Sequence, residues 1–262
     1  MTEQVSVIIP VFNAEFFIEN AVHSVLKHDC VGEVILVEDG STDSTSKKCC
    51  ELALRYSKVK CKMHPNHENR GAAASRNLGI QLANFPIISF LDADDIYYEN
   101  RFKEALLLLR ENPSIQACYG IVEVINLDTG RKKNMGFLKK SPSTSVLTYL
   151  LKGGYFHTNS ITVRKSFFKE VGFFDQVCWP HEDSELWIRM ASKGKVSPIV
   201  DKAPIASYSI HNNNLSKVAS IKSKKIMWNE VYNKVYGLPI GVFNKILILK
   251  QLFKFWLRAI SN

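Results

Sequence analysis

From residue 5 to residue 91 the chain alternates short, nearly continuous apolar runs with segments whose apolar positions recur every three or four residues. The run 5–11 (Val5-Ser6-Val7-Ile8-Ile9-Pro10-Val11) predicts a buried strand. Residues 16–26 predict a helix with Phe17, Ala21, Val22 and Val25 on one face. Strand 34–37 follows, then a helix reaching about residue 56 for which Ser41-Thr42-Asp43 offers capping side chains. A short strand at 59–63, a helix opened by Asn69-Arg70-Gly71 and running to about 83, and an apolar strand at 86–91 complete the series. Strands and helices in strict alternation predict an α/β fold, with a mainly parallel sheet flanked by helices.

The pattern then loosens. It predicts a helix over 100–111, a strand over 115–125, a turn at Asp128-Thr129-Gly130, a basic loop and a helix over 146–151. Beyond these come a strand at 161–163, a short helix at 167–171, a helix over 182–191, and strands at 196–200 and 204–210. No internal repeat or low-complexity linker interrupts the chain. One domain over 1–215 is therefore expected, with a first half (1–112) and a second half (113–215), and 216–262 forming a C-terminal helical extension.

In a parallel sheet, ligands bind beyond the carboxyl ends of the strands, where the loops converge. The polar residues at those ends are Phe12-Asn13, Glu38-Asp39-Gly40 and Asp92-Ala93-Asp94-Asp95. Three close carboxylates repel one another unless a cation or hydrogen bonds intervene. Mg²⁺ or Mn²⁺ suits such oxygen ligands, commonly through one or two carboxylates plus substrate phosphates. The competing reading is that the aspartates cap the following helix or fill a turn. Glu38-Asp39 has the same two readings, with Gly40 permitting a sharp turn.

The 262 residues carry a formal charge of +9, concentrated in the second half at Lys132-Lys133, Lys139-Lys140, Lys222-Ser223-Lys224-Lys225 and the last helix. Nucleic acid, an anionic membrane and a phosphorylated substrate are all polyanions that such a charge attracts. A nucleic-acid-binding protein is disfavoured, because no basic recognition motif is present and acidic strand ends repel phosphates in the absence of metal. A nucleotidyltransferase shares the need for metal and carboxylates, but the chain lacks a Gly-rich phosphate loop near its first strand. Six cysteines without a C-x-x-C pair read as reduced thiols. Met1-Thr2-Glu3-Gln4 leads straight into the first strand with no basic n-region, so a cytoplasmic location is expected.

Several motifs together carry a resemblance. Val7-Ile8-Ile9-Pro10-Val11-Phe12-Asn13, Val37-Glu38-Asp39-Gly40-Ser41-Thr42-Asp43, Asn69-Arg70-Gly71 with Ala74-Ser75-Arg76-Asn77, and Asp92-Ala93-Asp94-Asp95 occur in the order and spacing of family 2 glycosyltransferases. With Glu182-Asp183 and Trp187, the similarity spans residues 5 to about 215. The resemblance implies a GT-A type, Rossmann-like fold and an inverting transfer from a nucleotide-sugar, expected to be UDP-linked. The acceptor it implies is a glycan or a lipid-linked glycan, in surface-polysaccharide assembly. It further implies a donor site of Pro10, Phe12, Asn13, Glu38, Asp39, Asn69, Gly71, Arg76, Asp92, Ala93 and Asp94. In that set Phe12 packs on the base, where the family more often has tyrosine, and Glu38 and Asp39 meet base and ribose. Glu38 departs from the family's usual aspartate. Arg76 lines the phosphate and ribose region, Asp92 reaches the ribose, and Asp94 holds the Mn²⁺ or Mg²⁺ that bridges the diphosphate.

By the same resemblance, Asp183 is the base that takes the acceptor proton, a role typically contributing about 10²- to 10⁴-fold. Residue type alone favours the other reading, that Glu182-Asp183 stabilises the positive end of a helix. The segment 208–216 resembles one that closes over the diphosphate; there His211 is a metal ligand, a phosphate contact or a structural residue. The segment 153–159 is expected near the acceptor. His64 and His67 read as loop residues, since no partner stands at a zinc-like spacing.

The last predicted helix, 241–260, has Lys250, Gln251, Lys254 and Arg258 on one side and Ile246, Leu249, Leu252, Phe253, Trp256 and Ile260 on the other. Four cations make it too polar to span a bilayer. A basic amphipathic helix suits an anionic membrane surface, which would make the protein peripheral on the inner face of the membrane. The alternative is a terminal helix covering the core or a partner.

Overall fold

The computed structural model describes residues 4–135, 145–211 and 220–260. The basic pair Lys139-Lys140 and residues 212–216 of the segment expected to close over the diphosphate lie outside the described residues. Strands β1 (Val5–Val11), β2 (Val31–Glu38), β3 (Val59–Met63) and β4 (Ile87–Phe90) alternate with helices α1 (Ile18–Leu26), α2 (Thr45–Arg55) and α3 (Gly71–Leu82). After α4 (Lys103–Glu111) come β5 (Ile115–Tyr119), β6 (Ile121–Asn126), β7 (Lys132–Met135) and α5 (Val146–Leu151). The remainder is β8 (Thr162–Arg164), α6 (Phe168–Val171), α7 (Glu182–Lys193), β9 (Lys195–Pro198), β10 (Pro204–Ile210), α8 (Ile221–Val235) and α9 (Val242–Ile260).

Among the described residues the main sheet has seven strands in the order β3-β2-β1-β4-β8-β5-β9. β1 pairs in parallel with β2 and β4, and β2 with β3, so the first four strands end on one edge. β8 runs antiparallel to both β4 and β5. Its N-terminal end therefore lies at the edge where β4 ends, and the segment before it enters the site from the opposite chain direction. The order β3-β2-β1-β4 follows from right-handed crossovers, with helices covering both faces. Each face has its own core. Ile8, Ile35, Val37, Ile88 and Phe90 point to one side, while Val7, Ile9, Val11, Val34 and Leu36 point to the other. This explains the unbroken apolar runs: with both faces covered, every position contributes, at about 1.5–3 kcal/mol for each fully buried large aliphatic side chain.

Three expectations need correction. The single strand over 115–125 is two strands in different sheets, because the chain breaks at Gly120. A Cβ there would lie 2.7 Å from the Cδ1 atoms of Ile199 and Ile205, so glycine lets the chain pass between the sheets without displacing those side-chain ends. β6 then joins a three-stranded sheet in the order β10-β6-β7, parallel to β10 and antiparallel to β7. The second correction concerns Ser41 and Thr42, which do not cap α2. Ser41 Oγ accepts from Asn13 N–H at 3.0 Å, and the Thr42 N–H donates to Asn13 Oδ1 at 2.9 Å, so these residues zip the β1 and β2 loops together. Asp43 alone serves the helix start, its Oδ1 accepting from Thr45 N–H at 2.9 Å.

Third, the basic loop contains β7, and the 216–262 extension contains α8 ahead of the expected last helix. α8 opens with a Ser220–Ser223 capping box and buries Met227, Trp228, Val231 and Val235 in the core cluster that includes Trp187. Among the described residues no helix is long and apolar enough to cross a membrane. The six cysteines are free thiols.

Candidate active site

Glu38 and Asp39 leave β2 and turn inward. Gly40 makes the turn at φ +73°, where a Cβ would meet the His67 carbonyl oxygen at 2.5 Å, so no other residue fits. Glu38 Oε1 accepts from the Ser41 N–H at 2.6 Å, and its side chain is buried. Asp39 accepts from the Arg70 N–H at 2.7 Å and the Gly71 N–H at 2.9 Å, one at each oxygen. These donors open α3, where unpaired backbone N–H groups favour a carboxylate. His64 Nε2 lies 3.6 Å from the same Asp39 and 2.9 Å from Ser75 Oγ. The expected loop histidine His64 is thus a buried support for the Asp39 turn, whereas His67 is exposed. Asn69 is exposed beside this turn and Gly71 takes φ +84°. Along the neighbouring β1 end, Pro10 is half-buried, Phe12 presents a ring that is 42 % exposed, and Asn13 adopts φ +47°.

At the end of β4 the carboxylates are held differently. Asp92 Oδ1 accepts from Arg76 Nη2 at 2.8 Å, and Arg76 Nη1 reaches Glu182 Oε1 at 3.1 Å. Burial opposes the Arg76 charge, but Asp92 and Glu182 outweigh it and hold the guanidinium protonated. Burial likewise opposes the Asp92 charge, and Arg76 overrides it to keep that carboxyl below its ordinary value. The guanidinium expected to line the phosphate and ribose region is therefore engaged by two carboxylates, with its face 5.5 Å from the Phe174 ring centre. It links the β4 end to the start of α7, 106 residues apart in the chain.

Asp94 is pushed above its ordinary value by burial and by the charge of Asp92, against the opposing hydrogen bond from His211. Asp94 Oδ2 stands 2.8 Å from His211 Nε2, and the imidazole stacks on Phe17 with ring centres 5.5 Å apart. The structure thus brings together Asp94 and His211, 117 positions apart. Ala93, between the two aspartates, is buried. Asp95 points away into the protein. It accepts from the Ser209 N–H at 2.6 Å, Asn159 Nδ2 at 2.7 Å and Ser207 Oγ at 3.2 Å, while burial and the neighbouring Asp94 and Asp92 raise its carboxyl well above the ordinary range.

The segment 153–159, expected near the acceptor, leads into β8 and contains Asn159 and His157, whose individual roles sequence reasoning did not assign. Asn159 is fully buried in a short 3₁₀ turn (Thr158–Ser160). Its Oδ1 accepts from the Asp92 N–H at 2.9 Å, and its Nδ2 donates to Asp95 and to the Ser207 carbonyl at 3.0 Å. One amide thereby fixes both ends of the acidic turn. His157 Nδ1 accepts from the Asn159 N–H at 3.2 Å, leaving the proton on Nε2. Burial keeps His157 below its ordinary value against the nearby charges of Asp92 and Asp183, so the ring is neutral at pH 7. The sequence signal for these residues was their place in the segment 153–159; their contacts with the β4 end follow from the antiparallel direction of β8, which that signal does not give.

Asp183, in the first turn of α7, is half-buried. Its Oδ2 accepts from the Tyr155 hydroxyl at 2.6 Å and weakly from Thr158 Oγ1 at 3.4 Å; Oδ1 accepts from the Ser184 N–H at 2.5 Å. Burial and the Asp183 carboxylate hold the Tyr155 phenol well above its ordinary value, so it stays a donor. The carboxylate is oriented at both oxygens, Oδ1 also accepting from Ser184 Oγ at 3.2 Å.

Among the described residues no three His, Cys, Asp or Glu side chains already form a metal cage. The donor set instead fits an ion that takes few protein ligands. A buried carboxylate raised by a neighbouring carboxylate, with an imidazole on its free edge, is an anionic position that a divalent cation would relieve.

Residues 6–172 match the model of the family described as Glycosyl transferase family 2. The chain is 28% identical over 229 residues to the Escherichia coli UDP-Glc:alpha-D-GlcNAc-diphosphoundecaprenol beta-1,3-glucosyltransferase WfgD, covering 86% of this chain and 84% of that protein. It is also 28% identical over 243 residues to an uncharacterized glycosyltransferase of Rickettsia bellii, covering 88% of this chain but 34% of the longer protein. In fold it is similar to Staphylococcus aureus TarS residues 1–349 in complex with UDP-GlcNAc. That match has a TM-score of 0.73 at 18% identity and covers 98% of this chain and 73% of that one. The mainly parallel sheet with flanking helices is the GT-A fold.

Proposed function

The chain belongs to glycosyl transferase family 2, and from that membership we propose that it moves a sugar from a nucleotide-sugar, UDP-linked, to a hydroxyl of a lipid-linked glycan acceptor in surface-polysaccharide assembly. The donor and acceptor classes rest on the printed activity of the Escherichia coli relative. The observation that carries the reading is Asp183: a half-buried carboxylate fixed at both oxygens, next to the Glu182–Arg76–Asp92 chain that runs back to the β4 end.

In this reading the exposed Phe12 ring packs on the base. Pro10, Asn13, Glu38 and Asp39 shape the pocket around it from within, because the acidic pair is committed to the turn and to the α3 start. Asn69 and Gly71 offer the edge of that pocket, and Asp92 and Ala93 approach the ribose. Asp94 with His211 would hold Mg²⁺ or Mn²⁺, which when bound supplies Lewis-acid stabilisation of the departing diphosphate. The acceptor oxygen attacks the anomeric carbon while the bond from that carbon to the phosphate oxygen breaks. The acceptor proton passes to Asp183, and the electron pair leaves with the nucleoside diphosphate. A single displacement of this kind inverts the anomeric configuration. Tyr155 and Ser184 hold the base in one orientation, and positioning of this kind avoids the large losses that follow from about 1 Å of misplacement. Arg76 is a positioning residue that keeps Asp92 ionised and ties it to α7.

The test is Asp183→Asn. It is expected to retain donor binding, read as a rise in melting temperature with UDP-sugar and Mn²⁺, while transfer falls by about 10²- to 10⁴-fold. Normal turnover by this variant would refute the assigned base. A product with the donor's own anomeric configuration would refute the single displacement.

A further inference from the structure

Helix α9 has two apolar faces, and among the described residues the rest of the chain covers one of them. Ile248 and Phe255 are buried in the core that α5 and α8 also line, with Leu247 and Leu252 packed beside them. Two hydrogen bonds fix this face on α5: Gln251 Nε2 donates to the Leu151 carbonyl at 3.0 Å, and Asn244 Oδ1 accepts from the Thr148 hydroxyl at 2.8 Å. On the other side, Val242, Ile246, Leu249, Phe253 and Trp256 are 43–75% exposed. Their alternating spacing of four and three residues aligns them in one stripe along the axis. The Phe253 and Trp256 rings stack at 6.4 Å between centres. Five large apolar side chains in a line form a contiguous patch, unlike the scattered exposed residues of an ordinary surface.

What the patch meets is decided by its margins. The nineteen residues of α9 contain no aspartate or glutamate. At 100° per residue, Lys245 falls on one margin of the stripe and Lys250 and Lys254 on the other. Lys152, exposed at the end of α5, lies 5.7 Å from the Phe243 ring centre on the same lysine-bearing side. A second copy docking through this stripe would set lysines against lysines, with no carboxylate on the helix to pair them. A lipid surface with anionic headgroups offers the complement to both features at once. It has an apolar interior edge for the stripe, an interfacial zone for Trp256, and negative charge for the flanking lysines. We propose that α9 lies in the plane of an anionic membrane surface, with Ile246, Leu249, Phe253 and Trp256 inserted among the lipids and its other face fixed to α5.

This docking rests on α9 and not on the reaction assigned above, but it adds a consequence for that reaction. The segment leaving α5 carries Tyr155, which is hydrogen-bonded to Asp183. The element that contacts lipid is therefore one hydrogen-bonded helix away from the residue that orients the base. A lipid-linked acceptor would be met at the surface to which α9 is bound.

The experiment is co-sedimentation of the full chain with phosphatidylcholine vesicles, with and without phosphatidylglycerol, alongside light scattering of the chain alone. The chain should bind phosphatidylglycerol-containing vesicles, bind pure phosphatidylcholine far more weakly, and lose binding as salt rises. Phe253→Glu/Trp256→Glu, at two exposed positions, should abolish binding with an unchanged melting temperature. Lys250→Gln/Lys254→Gln, a milder change that provides the test if the first variant fails to fold, should weaken partitioning by about fivefold per lysine. Binding by the lysine variant equal to that of the unaltered chain overturns the proposal. So does a chain that ignores both vesicle types, or one that forms a dimer abolished by Phe253→Glu/Trp256→Glu.

Discussion

Two strands of the same sheet, separated by β1, end in acidic residues, and the two ends use them in opposite ways. At the end of β2, Glu38 and Asp39 spend their oxygens on backbone N–H groups of their own turn and of the α3 start. At the end of β4, Asp92 leans on a side chain from α3, and Asp94 meets an imidazole from the end of β10. A carboxylate satisfied by backbone donors is part of the scaffold, since those donors move only if the helix moves. One balanced by side chains can exchange its partner for a ligand. Asp95 shows that position in the motif does not decide this: one residue from Asp94, it is tied to Ser209, Asn159 and Ser207 and belongs with the scaffold.

The largest way to break this contrast is at its pivot. Arg76→Ala leaves Glu182 and Asp92 without their buried cation, and should cost about 3–5 kcal/mol of stability by denaturant unfolding. A variant as stable as the parent would mean that the pair is not held by Arg76. Next comes Asp94→Ala, expected to remove metal-dependent stabilisation by a UDP-sugar and to lower transfer by about 10²- to 10³-fold, with the metal-free melting temperature little changed. Asp39→Ala should do the reverse. It removes the acceptor for two helix N-terminal N–H groups and should cost about 0.5–2 kcal/mol, measured in the absence of ligand. If Asp39→Ala lost donor binding with its stability intact, the scaffold reading of the β2 end would collapse.

The smallest effect is at the far end of the strands, where Glu33 accepts from Ser6, Asn84 and Lys60. Burial works against its charge, but the Asn84 backbone, Lys60 and Ser6 outweigh burial and hold the carboxyl below the ordinary 4.5. A depressed folded value means the contribution is complete above about pH 4.5 and is lost as pH falls through the lower folded value. Glu33→Gln should therefore flatten the fall in stability below pH 4.5, while leaving the dependence near neutrality unchanged.

Legibility followed the kind of signal each part carries. The strands β1 to β4 were readable because both sheet faces are buried, so apolar residues run without a break, and the acidic turns stand where such runs stop. Helix α8 carries Met227, Trp228, Val231 and Val235 at helical spacing, but the lysines 222, 224 and 225 crowd its first turns and weaken the apolar pattern there. In α9 the exposed stripe was legible, but the projection left out the core-facing Ile248 and Phe255 and set Gln251, which bonds the Leu151 carbonyl, on the polar side. Ile248 and Phe255 go into the core, while Phe253 and Trp256 do not.

The sequence by itself determined the α/β order, the strand ends at which chemistry could occur, and the residue types gathered there, because these depend on local periodicity and on where hydrophobic runs break. Only the tertiary structure decided which carboxylates are scaffold and which are available. That choice is made by partners 30 to more than 100 positions away: Arg70 and Gly71 for Asp39, Glu182 for Arg76, His211 for Asp94, and Asn159 for both ends of the Asp92–Asp95 turn. A carboxylate's role is fixed by its donors and neighbouring charges in space, and those are set by strand order and by the antiparallel direction of β8, which no local pattern encodes.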